Sequence, residues 1–214
     1  MYARLTGLVL LVLPALAGCD AVRAIGYSLA PEQKTSAEFT LTKQRLAIVV
    51  DVATGQPDYP LFRQALHDRL AALLREHKLT DDIPPYAAQL DLQARFPDYP
   101  HWSVQRIGRE LHAAQVLYIR VTGLTLRETP EYPVLEPKAR VRLLVLDPQA
   151  SSEKARLWPA DQDGKELEAT CTAEEASDKS REDQLVQRLG RAVAEHAVRL
   201  FYEHPTDDKP PTEP

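Results

Sequence analysis

Several side chains that could bind a ligand or a partner lie in two short loops of similar sequence. The segment Pro-Asp-Tyr-Pro occurs at 57–60 and again at 97–100, and each copy precedes a predicted amphipathic helix. Aromatic side chains dominate the energetics of many protein interfaces. The candidate contacts to a protein partner are Tyr59, Tyr99, His101 and Trp102. The alternative is that each segment is only a turn, with the aromatic rings of the second loop folded back over the start of the next helix.

Asp51 is a second candidate, for a different kind of binding. It lies near the end of 45–52, a nearly continuous apolar run rich in β-branched residues. Such a run predicts a strand buried on both faces, and therefore a central one. Ligands of open α/β sheets bind outside the carboxyl ends of the strands. Asp51 is thus the candidate residue of a small-ligand site.

Signatures of catalysis are missing from the sequence. It has no Gly-x-Ser-x-Gly elbow, phosphate-binding loop, His-Glu-x-x-His or Cys-x-x-Cys. His67, His77, His112 and His196 fall on predicted helices beside charged residues, as solvated or half-buried helix residues do. We therefore expect no enzyme, no catalytic residue, no metal and no cofactor.

The chain starts with an apolar leader that ends on a cysteine. Arg4 precedes an apolar run from Leu5 to Ala17. This run is shorter than the roughly 20 residues that a spanning helix needs, and it suits the central region of a signal peptide. The sequence has two cysteines, so once Cys19 is modified no intramolecular disulfide is possible. Cys171 is expected to be a small, partly buried strand residue.

The end of this leader, Leu16-Ala17-Gly18-Cys19, resembles a bacterial lipobox. The resemblance implies that the peptide is cut before Cys19 and that this thiol carries acyl chains such as palmitate. Two or more chains give a stable membrane anchor, whereas one gives only marginal binding. Asp20 resembles a signal for retention in the inner membrane, but inner and outer membrane both stay open. An ordinary cleaved signal with an incidental cysteine is the alternative.

The charge balance excludes one class of partner. The chain has 26 Lys and Arg residues against 31 Asp and Glu, and it has no long basic run. This composition argues against a nucleic-acid partner and against attraction to anionic lipid. The acyl chains must therefore supply the membrane affinity.

The periodicity of the remaining chain predicts an α/β fold. Strands are predicted at 45–52, 83–92, 115–127, 138–147, 153–159 and 165–172. Two to three amphipathic helices are predicted, at 61–79, around 104–114 and from Ser180 to the residue before Pro205. The order is β-α-β-α-β-β-β-(β)-α, which indicates a mixed sheet of about five strands in two or three layers. The predicted organisation is a signal peptide at 1–18, a lipidated cysteine and tether at 19–44, one domain at 45–203 and a disordered proline-rich tail at 204–214.

The order of these features resembles a group of envelope lipoproteins and periplasmic domains. The group includes the N-terminal domain of the Tol translocation protein, the curli-secretion lipoprotein and lipoprotein activators of penicillin-binding proteins. The resemblance is carried by "RLAIVV" and by "IGRELHAAQVLYIRVTG", with Gln115 where the group often has Asp. It implies a non-enzymatic domain that faces the periplasm or the exterior and binds envelope proteins as an adaptor or assembly component. Homo-oligomeric assembly and small-ligand binding remain alternatives.

Overall fold

The computed structural model describes residues 34–127, 134–151, 153–171, 174–175 and 179–206. The predicted signal peptide, Cys19 and the last residues of the predicted tail lie outside this part of the chain. The described residues form a mixed five-stranded sheet with helices against it, so the predicted α/β fold class is confirmed.

The strands, in chain order, are β1 (Lys34–Thr35), β2 (Leu46–Val52), β3 (Gln115–Thr125), β4 (Val134–Leu135), β5 (Lys138–Leu146), β6 (Arg156–Trp158), β7 (Lys165–Thr170), β8 (Glu174–Glu175) and β9 (His204–Pro205). The main sheet has the order β2-β3-β5-β6, with β7 also paired to β5. β2 and β3 are parallel, and the other pairs of this sheet are antiparallel. The parallel register sets Asp51 beside Arg120 and Val49 beside Tyr118.

The helices are α1 (Pro60–Glu76), α2 (Tyr86–Arg95), α3 (Val104–Glu110) and α4 (Lys179–Val198), with 3-10 turns at Tyr99–His101 and Arg199–Phe201. α1 begins on a proline, whose fixed φ suits the first helical position. Phe62, Leu66 and Leu70 recur at helical spacing and are buried. Within the described ranges, no helix combines the length and the apolar character that crossing a membrane requires.

Two hydrophobic cores lie on opposite faces of the sheet. Side chains alternate between the faces of a strand, so Ile48 and Val50 enter one core while Ala47 and Val49 enter the other. The first core is the larger, and α1 and α4 cover it with their apolar faces. The second core contains residues of α2, of α3 and of the loop between them. The described domain is therefore three-layered over part of its sheet.

The strand predicted at 83–92 is wrong, because these residues begin helix α2. Pro85 is the N-cap of this helix, so the prolines that marked an edge strand instead mark a helix start. Tyr86, Gln89 and Leu92 are its buried residues, three apart, which is a helical spacing. The described residues thus contain four α-helices, against the two to three predicted.

The central position predicted for the first long strand is also wrong. β2 lies at one end of the sheet order, with β3 on one side. It is nevertheless buried from Leu46 to Val50, because both cores contact it. Gln89 of α2 also donates to the carbonyl of Val50. Burial on both faces and position in the middle of a sheet are separate properties here.

The folded part of the chain extends beyond the predicted 45–203. β1 pairs with β9, which brings Lys34 beside Pro205. The backbone N–H groups of Glu38 and Phe39 donate to the carbonyl of Leu200, and Leu41 is buried. The stretch 34–44, predicted as tether, therefore belongs in part to the folded domain, where Glu38 and Phe39 contact the 3-10 turn after the last helix.

Candidate functional site

A polar cleft with a volume of about 120 Å³ lies beside the carboxyl end of β2. Its lining includes the side chains of Asp51, Gln89, Tyr99, Trp102 and Tyr118. We call these five residues the Asp51 cleft. The sheet contributes Asp51 and Tyr118, whereas α2 and the loop after it contribute the other three.

The Asp51 side chain is fixed by a neighbour on the next strand. The hydroxyl of Tyr118 donates a hydrogen bond to Oδ2 of Asp51, with an oxygen–oxygen distance of 2.8 Å. Burial of the tyrosine ring, and then the nearby Asp51 charge, raise the pKa of Tyr118 well above its ordinary value. Tyr118 therefore remains a hydrogen-bond donor at neutral pH, and Oδ1 of Asp51 remains able to accept from another group.

Gln89 carries a buried polar atom at the cleft. This side chain is 3% exposed, and its Nε2 donates a long hydrogen bond of 3.4 Å to the carbonyl of Val50. Its Oε1 is buried without a hydrogen-bond partner. Buried polar atoms are rarely left unsatisfied, since each costs roughly 1–3 kcal/mol. The Gln89 oxygen is thus the clearest sign that the cleft takes a polar group.

The hydroxyl of Tyr99 lies in the same region. It is buried, has no hydrogen bond of good geometry, and lies near the amides of Gln89 and Gln93. Desolvation raises the pKa of Tyr99, while the two amides oppose this shift. The hydroxyl is therefore neutral at physiological pH and can donate to an acceptor in the cleft.

One cation reaches the cleft but is already paired. Arg63 of α1 contributes to the lining. Its Nε lies 3.0 Å from Oδ1 of Asp58, and its Nη2 lies 3.1 Å from Oδ2 of the same carboxylate. This ion pair offsets the guanidinium charge, although only Nη2 donates a hydrogen bond and the buried Nε has no partner of good geometry. Asp51 is the carboxylate of the cleft, and it accepts a hydrogen bond from Tyr118.

The loop after α2 folds inward, as the alternative interpretation predicted. Trp102 is 9% exposed, and its ring lies 4.9 Å from that of Phe96 and 5.5 Å from that of Tyr99. The guanidinium of Arg106 lies 3.8 Å from the centre of the indole ring. The indole N–H beside Asp98 lowers the pKa of that carboxyl. Tyr99 and Trp102 therefore form part of the second core and present little surface to a partner.

The other two predicted partner contacts lie elsewhere. Tyr59 is the N-cap residue of α1 and packs against the first core, on the opposite face of the sheet from Tyr99. His101 is exposed. The four predicted contacts thus do not form one surface, whereas Asp51, Tyr99 and Trp102 do meet in the Asp51 cleft. Partner contact by Tyr59 or His101 remains a prediction.

Sequence reasoning missed Gln89 and Tyr118. Gln89 was assigned to a strand that is in fact α2, which removed it from consideration. Tyr118 could have been found, since it alternates with Leu117 and Ile119 along β3 and so points away from the first core. Among the described residues, no three His, Cys, Asp or Glu side chains converge as metal ligands do.

A second feature lies on the same face of the sheet as the Asp51 cleft. Charged side chains project from the inner strands β3 and β5 and from β7, and we call them the charged face: Arg120, Arg140, Arg142, Glu166 and Glu168. Arg120 and Arg142 are register partners on adjacent strands. Within the described part of the chain, the contacts of Arg142 to carboxylates are long, 3.7 Å to Asp163 and 3.6 Å to Glu166.

No protein-family model matches this chain, and no curated protein matches it either. Among solved structures, it is similar to lipoprotein GNA1162 from Neisseria meningitidis, with 20% identity, a TM-score of 0.39, and coverage of 70% of this chain and 98% of that one. It is also similar to the PelC dodecamer from Paraburkholderia phytofirmans, with 14% identity, a TM-score of 0.41, and coverage of 81% and 99%. A third is uncharacterized lipoprotein B from Nitrosomonas europaea, with 13% identity, a TM-score of 0.35, and coverage of 74% and 82%.

Proposed function

We propose that this chain is a lipid-anchored lipoprotein of the bacterial cell envelope. Its α/β domain would bind envelope proteins as a non-enzymatic adaptor or assembly component in transport or wall maintenance. The anchor follows from the lipobox-like sequence that ends at Cys19. Acyl chains on this residue would hold the domain at a membrane, which raises its effective concentration toward membrane-bound partners.

The observation that carries the partner-binding proposal is the pairing of Arg120 with Arg142 on the charged face. Like charges directly opposite each other on neighbouring strands destabilise a sheet. The carboxylates near Arg142 lie 3.6–3.7 Å away and compensate it only weakly. An acidic group from a partner would neutralise the two arginines, so the proposed partner presents carboxylates to this face.

The geometry of the charged face also suits docking. Arg140, Glu166 and Glu168 have side chains that are 50–55% exposed, although Arg140 comes from an inner strand. Exposed ion pairs of this kind contribute only about 0–1 kcal/mol to stability. Their exchange for contacts with a partner therefore costs the domain little.

The anchor is tested by Cys19→Ser. The expected result is that wild-type protein fractionates with membranes and incorporates labelled palmitate, whereas the variant does neither. Continued acyl labelling of the variant in the membrane fraction would contradict lipidation at Cys19.

The adaptor role is tested by mild in-cell cross-linking of the tagged lipoprotein, followed by identification of the proteins that co-purify from membranes. A stoichiometric envelope protein is the expected result, and it would also name the process. Cross-links to other copies alone would replace the adaptor with a homo-oligomeric assembly. An absence of cross-linked species would contradict partner binding.

A second candidate function is small-ligand binding in the Asp51 cleft. It is favoured by the buried, unpartnered oxygen of Gln89 next to the Asp51 carboxylate. The two functions are compatible, because the cleft and the charged face use different side chains on one face of the sheet.

A further inference from the structure

The Asp51 cleft offers two acceptors to an incoming molecule. Oδ2 of Asp51 is occupied by the Tyr118 hydroxyl, which leaves Oδ1 available among the described residues. The buried Oε1 of Gln89 has no partner. A carboxylate and an amide oxygen at the same cleft match a group that is positively charged and rich in hydrogen-bond donors.

The cleft also contains donors and several aromatic rings. The buried Nε of Arg63 and Nε1 of Trp102 have no hydrogen-bond partner of good geometry. The Tyr99 hydroxyl is buried without a well-formed hydrogen bond, so it can donate to an oxygen of the bound molecule. The rings of Tyr99, Trp102 and Tyr118 line the cleft. Aromatic faces attract cations, which adds to the preference for a positive group.

Size limits the molecule further. The cleft volume is about 120 Å³. A water-sized group occupies about 30 Å³ in a liquid, so the cleft has room for only a few non-hydrogen atoms. A primary ammonium compound with two carbons and one oxygen function is of this size.

From these observations we infer that the Asp51 cleft binds a small primary ammonium compound that also carries an oxygen acceptor, such as ethanolamine or glycine. Asp51 and Gln89 accept from the ammonium group, and Tyr99 donates to the oxygen. This inference rests on the second of the two proposed functions. The same chemistry occurs in a free amine and in a phosphoethanolamine headgroup, and the two sources are distinguished by the choice of probe.

Substitutions of the two neighbouring charged residues Asp51 and Arg120 should change the affinity for the ligand in opposite directions. Asp51→Asn keeps the shape of the side chain but removes its charge, and a charge-assisted hydrogen bond contributes roughly 1.5–3 kcal/mol. At 1.4 kcal/mol per tenfold, the affinity for ethanolamine should fall about tenfold or more. Arg120 lies beside Asp51 in the register and is exposed. Arg120→Gln removes a positive charge that repels the ligand, so the affinity should rise.

Fluorescence provides a direct assay on the full-length lipoprotein in detergent. The sequence has two tryptophans, and Trp102 lines the cleft whereas Trp158 packs in the first core. In a Trp158→Phe background, Trp102 alone reports on the cleft. Ethanolamine, glycine and glycerophosphoethanolamine are titrated, with ethylene glycol and acetate as controls that lack an ammonium group.

The expected result is a saturable change with the ammonium probes at millimolar concentrations or below, weakened by Asp51→Asn and strengthened by Arg120→Gln. Tighter binding of glycerophosphoethanolamine than of ethanolamine would assign the site to a lipid headgroup, and the reverse to a free amine. The inference is overturned if folded protein gives no saturable change, if acetate binds as well as ethanolamine, or if Asp51→Asn has no effect. None of these results bears on partner capture by the charged face, which cross-linking reads separately.

Discussion

Tyr118 on β3 donates a hydrogen bond of 2.8 Å to Asp51 on the neighbouring parallel strand β2. The bond joins two residues two steps apart in the register, since Val49 is the direct partner of Tyr118. It fixes one oxygen of the only acidic side chain of β2. The parallel pairing of β2 and β3 thus positions the carboxylate of the Asp51 cleft.

This hydrogen bond predicts a stability loss at high pH. The pKa of Tyr118 is raised in the folded state, mainly by burial and then by Asp51. The stability that this shift contributes is fully present below the unfolded pKa of about 10 and is lost as pH rises through the higher folded pKa. Between pH 9 and 11, the free energy of unfolding should therefore fall more steeply for wild-type protein than for Tyr118→Phe. Parallel pH profiles in chemical denaturation would contradict this.

Two substitutions in the loop after α2 should differ sharply. Trp102 is buried in the second core, and large-to-small changes of buried aromatic residues cost about 3–5 kcal/mol. Trp102→Ala should destabilise the domain by this amount in urea denaturation. His101→Ala is the matched control from the same loop, and an exposed site changes stability by about 0.5 kcal/mol or less. A stable Trp102→Ala variant that no longer captures a partner would instead make Trp102 a contact residue.

Gly190 should resist substitution although it lies within a helix. A Cβ at this position would lie 2.6 Å from the carbonyl oxygen of Phe62, which is a backbone atom of α1. Alanine would gain about 1 kcal/mol in helix propensity, but overpacking typically costs about 1–3 kcal/mol. Because the clash is with backbone, we expect Gly190→Ala to be destabilising overall. At Gly123 an added Cβ meets only the Cβ of Arg140 at 3.6 Å, so Gly123→Ala should be tolerated. Thermal denaturation of the two variants tests this, and equal melting temperatures would refute the close helix contact.

His67 should make the domain sensitive to acid. It is 3% exposed beneath Tyr86, and burial lowers its pKa from 6.5, against the opposing effect of Asp68. A folded-state pKa below the unfolded value means that stability is present above pH 6.5 and is lost as pH falls through the folded pKa. The unfolding free energy should therefore decrease from pH 7.5 to pH 5. His67→Gln should flatten this slope in part, since the pKa of His196 is also lowered by burial. A slope unchanged by His67→Gln would show that this residue does not control the acid response.

The sequence was sufficient to predict a helix or a strand wherever a single hydrophobic periodicity continued through the whole element. The leucines of α1 recur every three or four residues, and β5 alternates Val141 and Leu143 with Arg140 and Arg142. It was insufficient at 83–92, because two prolines are compatible with an edge strand or a helix start and the apolar pattern there is weak. Whether an edge strand or a helix forms there depends on packing against β2, which is tertiary information.

The candidate site was predictable only in part. Asp51 could be selected, because a polar residue at the end of a buried strand is conspicuous. The cleft residues Gln89 and Tyr118 lie 38 and 67 positions after Asp51, and the sequence carries no local signal that joins them to it. The aromatic loop was selected for its composition, which does not reveal whether rings such as Trp102 face a partner or a core.

The most direct test of the adaptor proposal is site-specific photo-cross-linking in cells. Glu168 is replaced with a benzophenone amino acid on the charged face, and Glu76, an exposed glutamate at the end of α1, is replaced as a matched control. The proposal predicts a discrete adduct with an envelope protein from position 168 that is absent from position 76. Adducts of equal yield from both positions, or none from position 168 in folded, membrane-bound protein, would contradict the claim that the charged face binds a partner.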